Sequence, residues 1–93
     1  MTKADIVVQI AQQTGANRTV VLAVVEAFME NIKDSMVAGN DVFLRGFGSF
    51  VVKQRARKVA RNISKNTSIV IPAHSVPAFR PAKEFMDMVK EGR

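Results

Sequence analysis

Apolar residues recur along this chain at two periods, and the change of period divides it. Over the first 39 residues the spacing is helical. Ile6, Ile10 and Thr14 share one face, and Val7 and Ala11 widen the stripe. Thr2 to Asp5 fits a capping box, in which the Thr2 hydroxyl accepts from a first-turn amide and Asp5 reaches back. Gly15 is a natural stop. Asn17 suits the N-cap of a second helix running to about Ala38, with Gly39 as its terminator. Glu26, Glu30, Lys33 and Asp34 form the wet stripe of that helix. Its other sides are apolar, because Val20, Val21, Leu22, Ala23, Val24 and Val25 are consecutive and point in every direction around the axis. Phe28, Met29, Ile32 and Met36 continue them. A helix apolar nearly all round must be buried nearly all round. One small chain has too little other material for that, and a bare patch of this extent is uncommon on a soluble monomer. A dimer packed through these helices is expected, with Val21, Val24, Val25, Phe28, Ile32, Phe47, Phe50 and Phe79 in its core.

Beyond the second helix the period falls to two. Asn40 and Asp41 read as a turn and Val42 to Leu44 as a short strand. Gly46, Phe47 and Gly48 come next, then a long strand from about Ser49 through Arg61. Its even positions Phe50 and Val52 can face a core while Lys53 and Arg55 leave it. After Gln54 neither face is apolar enough for a core, so the ribbon should project as an arm over residues 53–75. Asn62 to Asn66 is the reversal, where Asn66 can take a left-handed conformation. The return strand, from Thr67 to Ile71, is β-branched. Pro72 and Pro77 cannot donate to a ladder and mark kinks or edge positions. Val76 and Phe79 re-enter the body. Pro81 suits the first turn of a last helix with Phe85, Met86 and Val89 on its inner side. The pattern predicts one α+β domain over residues 1–93: a helical dimerisation part (1–39), a three-stranded antiparallel sheet with a long hairpin arm (41–80), and a closing helix (81–93). An isolated two-stranded hairpin is marginally stable in water, so the arm should be mobile until a ligand orders it.

Charge gives the arm its meaning. The chain carries 14 basic and 8 acidic residues, a net charge of +6, and they are not spread evenly. Residues 1–44 hold three basic and five acidic side chains, residues 45–83 nine basic and no acidic, and residues 84–93 two and three. Within residues 53–67 lie Lys53, Arg55, Arg57, Lys58, Arg61 and Lys65. Lys53, Arg55, Arg57 and Arg61 occupy odd positions and so line one side of an extended strand, a regular row of cations suited to a phosphate backbone. Blocking edge-to-edge aggregation needs only one or two such charges, so the bias of sign points to a polyanion.

The glycine and phenylalanine run from Gly46 to Phe50, the Arg61–Asn62 pair, and the segment from Val76 through Pro77, Phe79, Arg80 and Pro81 to Lys83 carry a resemblance. At this spacing over the whole chain they resemble the HU family of bacterial histone-like proteins, which includes integration host factor. The resemblance implies an intertwined dimer whose two arms wrap the minor groove of double-stranded DNA, with an apolar residue at each tip wedged between base steps to bend and compact the duplex. The family's usual tip reads G-R-N-P-x-T-G. Here Arg61 and Asn62 match, Ile63 stands in place of the wedge proline, and Ala60 and Asn66 replace the two glycines. Ile63 becomes the expected wedge. The resemblance also implies that Arg80 and Lys83 touch flanking phosphates; Asn62, Ser64 and Lys65 join Lys53, Arg55, Arg57, Lys58 and Arg61 in the DNA-contacting set, and Lys3 is either a further contact or plain surface charge. Bent, kinked or gapped duplex should be preferred over any particular sequence, because minor-groove readout is degenerate.

Other chemistries fare poorly. Gly46 and Gly48 lack the third glycine and following helix of a phosphate cradle, and read instead as a tight turn holding Phe47 inward. His74 is the only histidine, and no cysteine exists, so no metal site, cofactor or catalytic triad is expected. His74 reads as an arm-base residue. The methionines at 29, 36, 86 and 88 are core filler. A nuclease would need carboxylates for Mg²⁺ beside the cationic surface, and residues 42–83 contain none, so no enzymatic activity is expected. A structured-RNA ligand could use the same charges, but no aromatic platform lies between Phe50 and Phe79. A more site-selective bender like integration host factor, and a heterodimer with a paralogue, stay open. Asp5, Gln9, Gln12 and Gln13 interrupt any apolar run at the start, so neither a signal peptide nor a membrane span is expected. The expected location is the cytoplasm, on the nucleoid.

Overall fold

The structure is a computed structural model and describes residues 1–62 and 64–92. In chain order the elements are α1 (Lys3–Thr14), α2 (Arg18–Val37), β1 (Val42–Leu44), β2 (Gly48–Arg55), β3 (Lys58–Asn62), β4 (Thr67–Ile71), β5 (His74–Pro81) and α3 (Lys83–Lys90). They fall into two compact units, Met1–Ser35 and Met36–Arg93.

The helical unit begins and ends its helices where the local chemistry dictates. The Asp5 amide donates to Thr2 Oγ1 at 3.3 Å and the Thr2 amide to Asp5 Oδ2 at 2.8 Å, completing the capping box of α1. Gly15 closes that helix at φ 74°, its N–H donating to the Ala11 carbonyl. Asn17 Oδ1 then accepts from the amides of Thr19 at 2.8 Å and Val20 at 3.4 Å, which caps α2. Only Val7 and Val21 are fully buried on these two helices. Val25 and Ile32 are half-buried, while Val24 is 62% and Phe28 49% exposed. The apolar circumference of α2 therefore finds little cover within one chain.

The second unit holds a three-stranded antiparallel sheet in the order β1-β2-β5, and a two-stranded ribbon of β3 and β4. The turn expected at Asn40–Asp41 is formed by Ala38 and Gly39 instead, with Gly39 at φ 87°. Asp41 bonds to the sheet rather than to the turn, since its Oδ1 accepts from the Val52 amide at 2.9 Å. β1 ends its pairing at Val42 opposite Phe50, and the carboxylate meets a donor two residues further along β2.

The long strand expected from Ser49 to Arg61 is divided. Ala56 and Arg57 lie between β2 and β3, and Pro72 and Ala73 between β4 and β5. Register is nonetheless continuous across the gap, because Arg55 pairs with His74 and Lys58 with Ile71, leaving two residues on each side. By this count Arg57 falls opposite Pro72, which has no N–H to give to a ladder. The interruption is thus a joint without a bulge. Pro77 pairs with Val52 on β5, an edge strand, where a proline is tolerated.

The burial pattern of β2 also differs from the expected alternation. Val51, at an odd position, is the buried side chain of the strand, whereas Phe50 and Val52 are half-buried. The even side carries the aromatic cluster. Phe50 and Phe79 are cross-strand partners with ring centroids 4.9 Å apart. Phe47 lies 5.1 Å from Phe79 and stacks on Phe85 at 5.5 Å. Such pairs add about 0.5–1.5 kcal/mol each beyond the area they cover. The cluster is open on one side, since Phe47 is 45% and Phe79 38% exposed.

Pro81 ends β5 rather than entering the last helix, and Ala82 occupies the N-cap position without a side-chain bond. On α3 only Phe85 is half-buried; Met86 and Val89 are exposed. No described helix is long and apolar enough to cross a membrane.

Candidate nucleic-acid interface

The two strand pairs sort the basic residues by face. Residues paired across an antiparallel ladder share a side of the sheet. Lys53 pairs with Val76, Arg55 with His74 and Arg61 with Ser68, so these three belong to one side, and the unbroken count adds Arg57. Val59 and Val70 lie on that side between Arg57 and Arg61. Lys58 pairs with Ile71 and takes the other side, with Ala60, Ile69 and Asn62. Ten residues from Lys53 to Asn62 span about 33 Å at roughly 3.3 Å each.

These cations are held open. Lys53, Arg55, Arg57, Lys58, Arg61 and Lys65 are all exposed. Among the described residues the ion pairs are Lys3 with Glu26 at 3.7 Å and Lys33 with Glu30 at 2.8 Å, both in the helical unit. The Lys33 ammonium is raised above its ordinary pKa by its hydrogen bond and charge pairing with Glu30. Among the described residues nothing comparable neutralises Lys53, Arg55, Arg57, Lys58, Arg61 or Lys65, so their charge is available to a ligand.

The ends of the ribbon are fixed by small polar contacts. At the base, Gln54 Nε2 donates to Ser75 Oγ at 2.8 Å, and His74 Nδ1 lies 2.9 Å from the Pro72 carbonyl. This places His74 at the arm base, as expected. At the far end Asn62, expected to open the reversal, stays in the ladder opposite Thr67, and Ser64 to Asn66 lie in a turn. Asn66 takes φ 51°, the left-handed conformation expected of it. Ser64 Oγ donates to Asn62 Oδ1 at 2.8 Å, and Arg61 Nη2 to Asn66 Oδ1 at 3.0 Å. Ile63, the expected wedge, lies outside the described residues.

The remaining candidates belong to other elements. Arg80 is on β5 opposite Ser49, and Lys83 is the first residue of α3. Arg80 and Arg45 both line a shallow open groove of about 350 Å³ with Phe43, Ser49 and Pro81. Arg45 belongs to the same acid-free block of residues 45–83 as Arg80 and Lys83. Lys3, the first residue of α1, is partly engaged by Glu26. The Gly46–Gly48 turn forms as expected, with Gly46 at φ 80° and a Cβ on Gly48 falling 2.6 Å from the Arg80 carbonyl and the Phe79 ring, but Phe47 within it is 45% exposed rather than held inward. Among the described residues no group of three His, Cys, Asp or Glu side chains could hold a metal.

This arrangement of sheet, basic ribbon and closing helix is shared with known proteins. The family model described as "Bacterial DNA-binding protein" matches residues 1–90. The chain belongs to the HU family. It is 38% identical to the DNA-binding protein HU of Thermus thermophilus over 91 residues, covering 98% of this chain and 94% of that one. It is 38% identical over 90 residues to the DNA-binding protein HU of Staphylococcus aureus, covering 97% of this chain and all of that one. Among solved structures, the Anabaena HU–DNA cocrystal structure matches with a TM-score of 0.90 at 35% identity, covering 96% of this chain and 97% of that chain. HU-family proteins are architectural DNA-binding proteins rather than enzymes, and the α+β fold seen here is theirs.

Proposed function

We propose that this chain acts as a homodimer that binds double-stranded DNA with little sequence preference and bends it. The observation that carries this reading is the ribbon itself: six exposed cations without an ion pair among the described residues, set on paired strands that leave the sheet. A row of this kind tracks phosphates. Two-stranded ribbons of this width enter DNA grooves, and the HU-family mode is the minor groove. Lys53, Arg55, Arg57 and Arg61 would follow the backbone along one side, with Lys58, Asn62, Ser64 and Lys65 around the tip. Arg80, Lys83 and Lys3 would receive DNA that runs on past the arms. Ile63 would insert between base steps; its support is its sequence position where the family places a wedge.

The second protomer is supported by exposure. Val24, Phe28, Phe47 and Phe79 are apolar, clustered by type on α2 and on the aromatic side of the sheet, and all more than a third exposed in one chain. A soluble protein seldom leaves so much aromatic and aliphatic surface uncovered. A dimer through these surfaces sets two arms at a fixed separation, and location on the nucleoid follows from the ligand.

The test is binding to linear, nicked and gapped duplexes of one sequence between 50 and 200 mM salt, with structured RNA as competitor. The expected result is preference for nicked and gapped duplex and a loss of affinity of about 10³-fold or more across that salt range, as for six or more neutralised phosphates. A flat salt response, or RNA displacing DNA at equal concentration, would sink the reading.

A further inference from the structure

One side chain on the cationic row can switch its charge near neutral pH. His74 pairs with Arg55 across the β2–β5 ladder and so shares the side of Lys53 and Arg55, to which the unbroken count adds Arg57. It is exposed, and it is the only histidine in the chain. Its Nδ1 lies 2.9 Å from the carbonyl of Pro72, in the joint between β4 and β5. A carbonyl oxygen only accepts, so this nitrogen carries the hydrogen. The neutral ring then has its lone pair on Nε2, which has no partner among the described residues.

This tautomer sets a condition on contact with DNA. The oxygens of a phosphodiester accept and do not donate. A neutral His74 would turn a lone pair toward them, and only the imidazolium offers Nε2–H as a donor. The charged groups on its side of the ribbon are all basic: Lys53 and Arg55 on β2, Arg57 at the joint and Arg61 on β3. No acid occurs in residues 42–83, and Asp41, just ahead of β1, is turned to the Val52 amide. A phosphate brought to this row supplies the negative charge that His74 lacks among the described residues.

We infer that His74 is a further phosphate-contacting residue, at the base of the arm, and that it takes up a proton from solvent as DNA binds. The proton goes from the buffer to Nε2, and the new N–H donates to a phosphate oxygen while Nδ1–H keeps its bond to Pro72. Binding is thereby coupled to pH between about 5 and 8, where histidine ordinarily changes charge. The complex holds more protons than the free protein, so affinity falls as pH rises. The inference rests on the reading that the arm follows the phosphate backbone, and it adds a contact whose charge is set by the solution.

The experiment uses the full-length protein and one nicked duplex at constant ionic strength between pH 5.5 and 8.0. A salt titration is run at each end of that range, with calorimetry at pH 7.0 in two buffers of different ionisation enthalpy. Wild type should bind about tenfold tighter at pH 5.5 than at pH 8.0, as two exposed charge pairs per dimer supply. Its slope of log K against log salt should be steeper at pH 5.5 by about 2. On binding at pH 7.0 it should take up about half a proton per dimer more than His74→Gln does. His74→Gln should lose the pH dependence and show the shallow slope at both ends, and His74→Lys should show the steep slope at both. A ring that only braced Pro72 would alter affinity without proton uptake. Equal pH dependence and proton uptake in wild type and His74→Gln overturns the inference, and so does wild type that binds alike across the range. A flat salt response at pH 8.0 in all three proteins would instead bring down the reading of the arm, and the inference with it.

Discussion

Single residues in this chain separate into those that make the shape and those that use it. Gly48 belongs to the first kind, because its missing Cβ is where the Arg80 carbonyl and the Phe79 ring approach. Gly48→Ala should cost about 2 kcal/mol through overpacking and lower the melting temperature by roughly 10 °C in a thermal melt. Asp41 was legible only as a turn former; that its carboxylate meets the Val52 amide depends on where β1 ends, which spacing does not reveal. Asn66 was legible as a left-handed residue, but not as the acceptor for Arg61, since that contact closes only once the two strands are in register. In the proposed function Ile63 would be of the second kind. An apolar wedge acts by unstacking and kinking the duplex, while affinity for straight DNA comes from phosphate contacts. Ile63→Ala is therefore expected to keep most affinity for linear duplex and to lose DNA bending, read as slower cyclisation of a short fragment. Unchanged cyclisation would remove Ile63 from the mechanism.

At the scale of elements, the helices and their caps were written plainly in the sequence, because each cap is a contact between residues at most four apart. The strands were less so. Alternation gave their existence and the arm, but not the joint at Ala56–Arg57, whose cause lies opposite, at Pro72. Nor did alternation reveal Val51 as the buried residue of β2, since both faces of that strand are apolar near its centre. The arm beyond the joint is held by the short β3–β4 ladder and the Arg61 and Ser64 contacts, and Val59, Ile69 and Val70 remain exposed. Two strands without a packed face are marginal in water. NMR relaxation should give backbone order parameters below about 0.6 for the free arm against about 0.85 for the helices, rising when DNA binds. An arm as rigid as α2 when free would contradict this. The charge row permits a sharper check on contact. Arg55 is exposed opposite His74 and has no ion pair among the described residues. If it meets one phosphate per arm, Arg55→Gln should reduce the slope of log K against log salt by about 2 for the dimer. A slope equal to wild type would leave Arg55 as surface charge only.

The whole molecule is where one chain is least sufficient. Uncovered apolar side chains remain on α2 and, separately, on the aromatic side of the sheet, and a soluble monomer seldom leaves such patches bare. Among the described residues three apolar side chains are fully buried, Val7, Val21 and Val51, too few to hold 93 residues against their conformational entropy, so folding and association should be one process. Its signature is a melting temperature that depends on concentration, rising by about 3–5 °C for each tenfold increase in protein. Val24 gives the decisive substitution. In an isolated chain it is 62% exposed, and Val24→Glu would then change stability by no more than about 0.5 kcal/mol, as surface changes do. In a dimer packed through α2 the same glutamate is an unpaired charge in the core, which is among the most destabilising changes known. Sedimentation equilibrium and circular dichroism on Val24→Glu separate the two cases. Loss of the dimer together with loss of helix signal is the expected outcome, and a folded, monomeric variant would show that the chain has a core of its own.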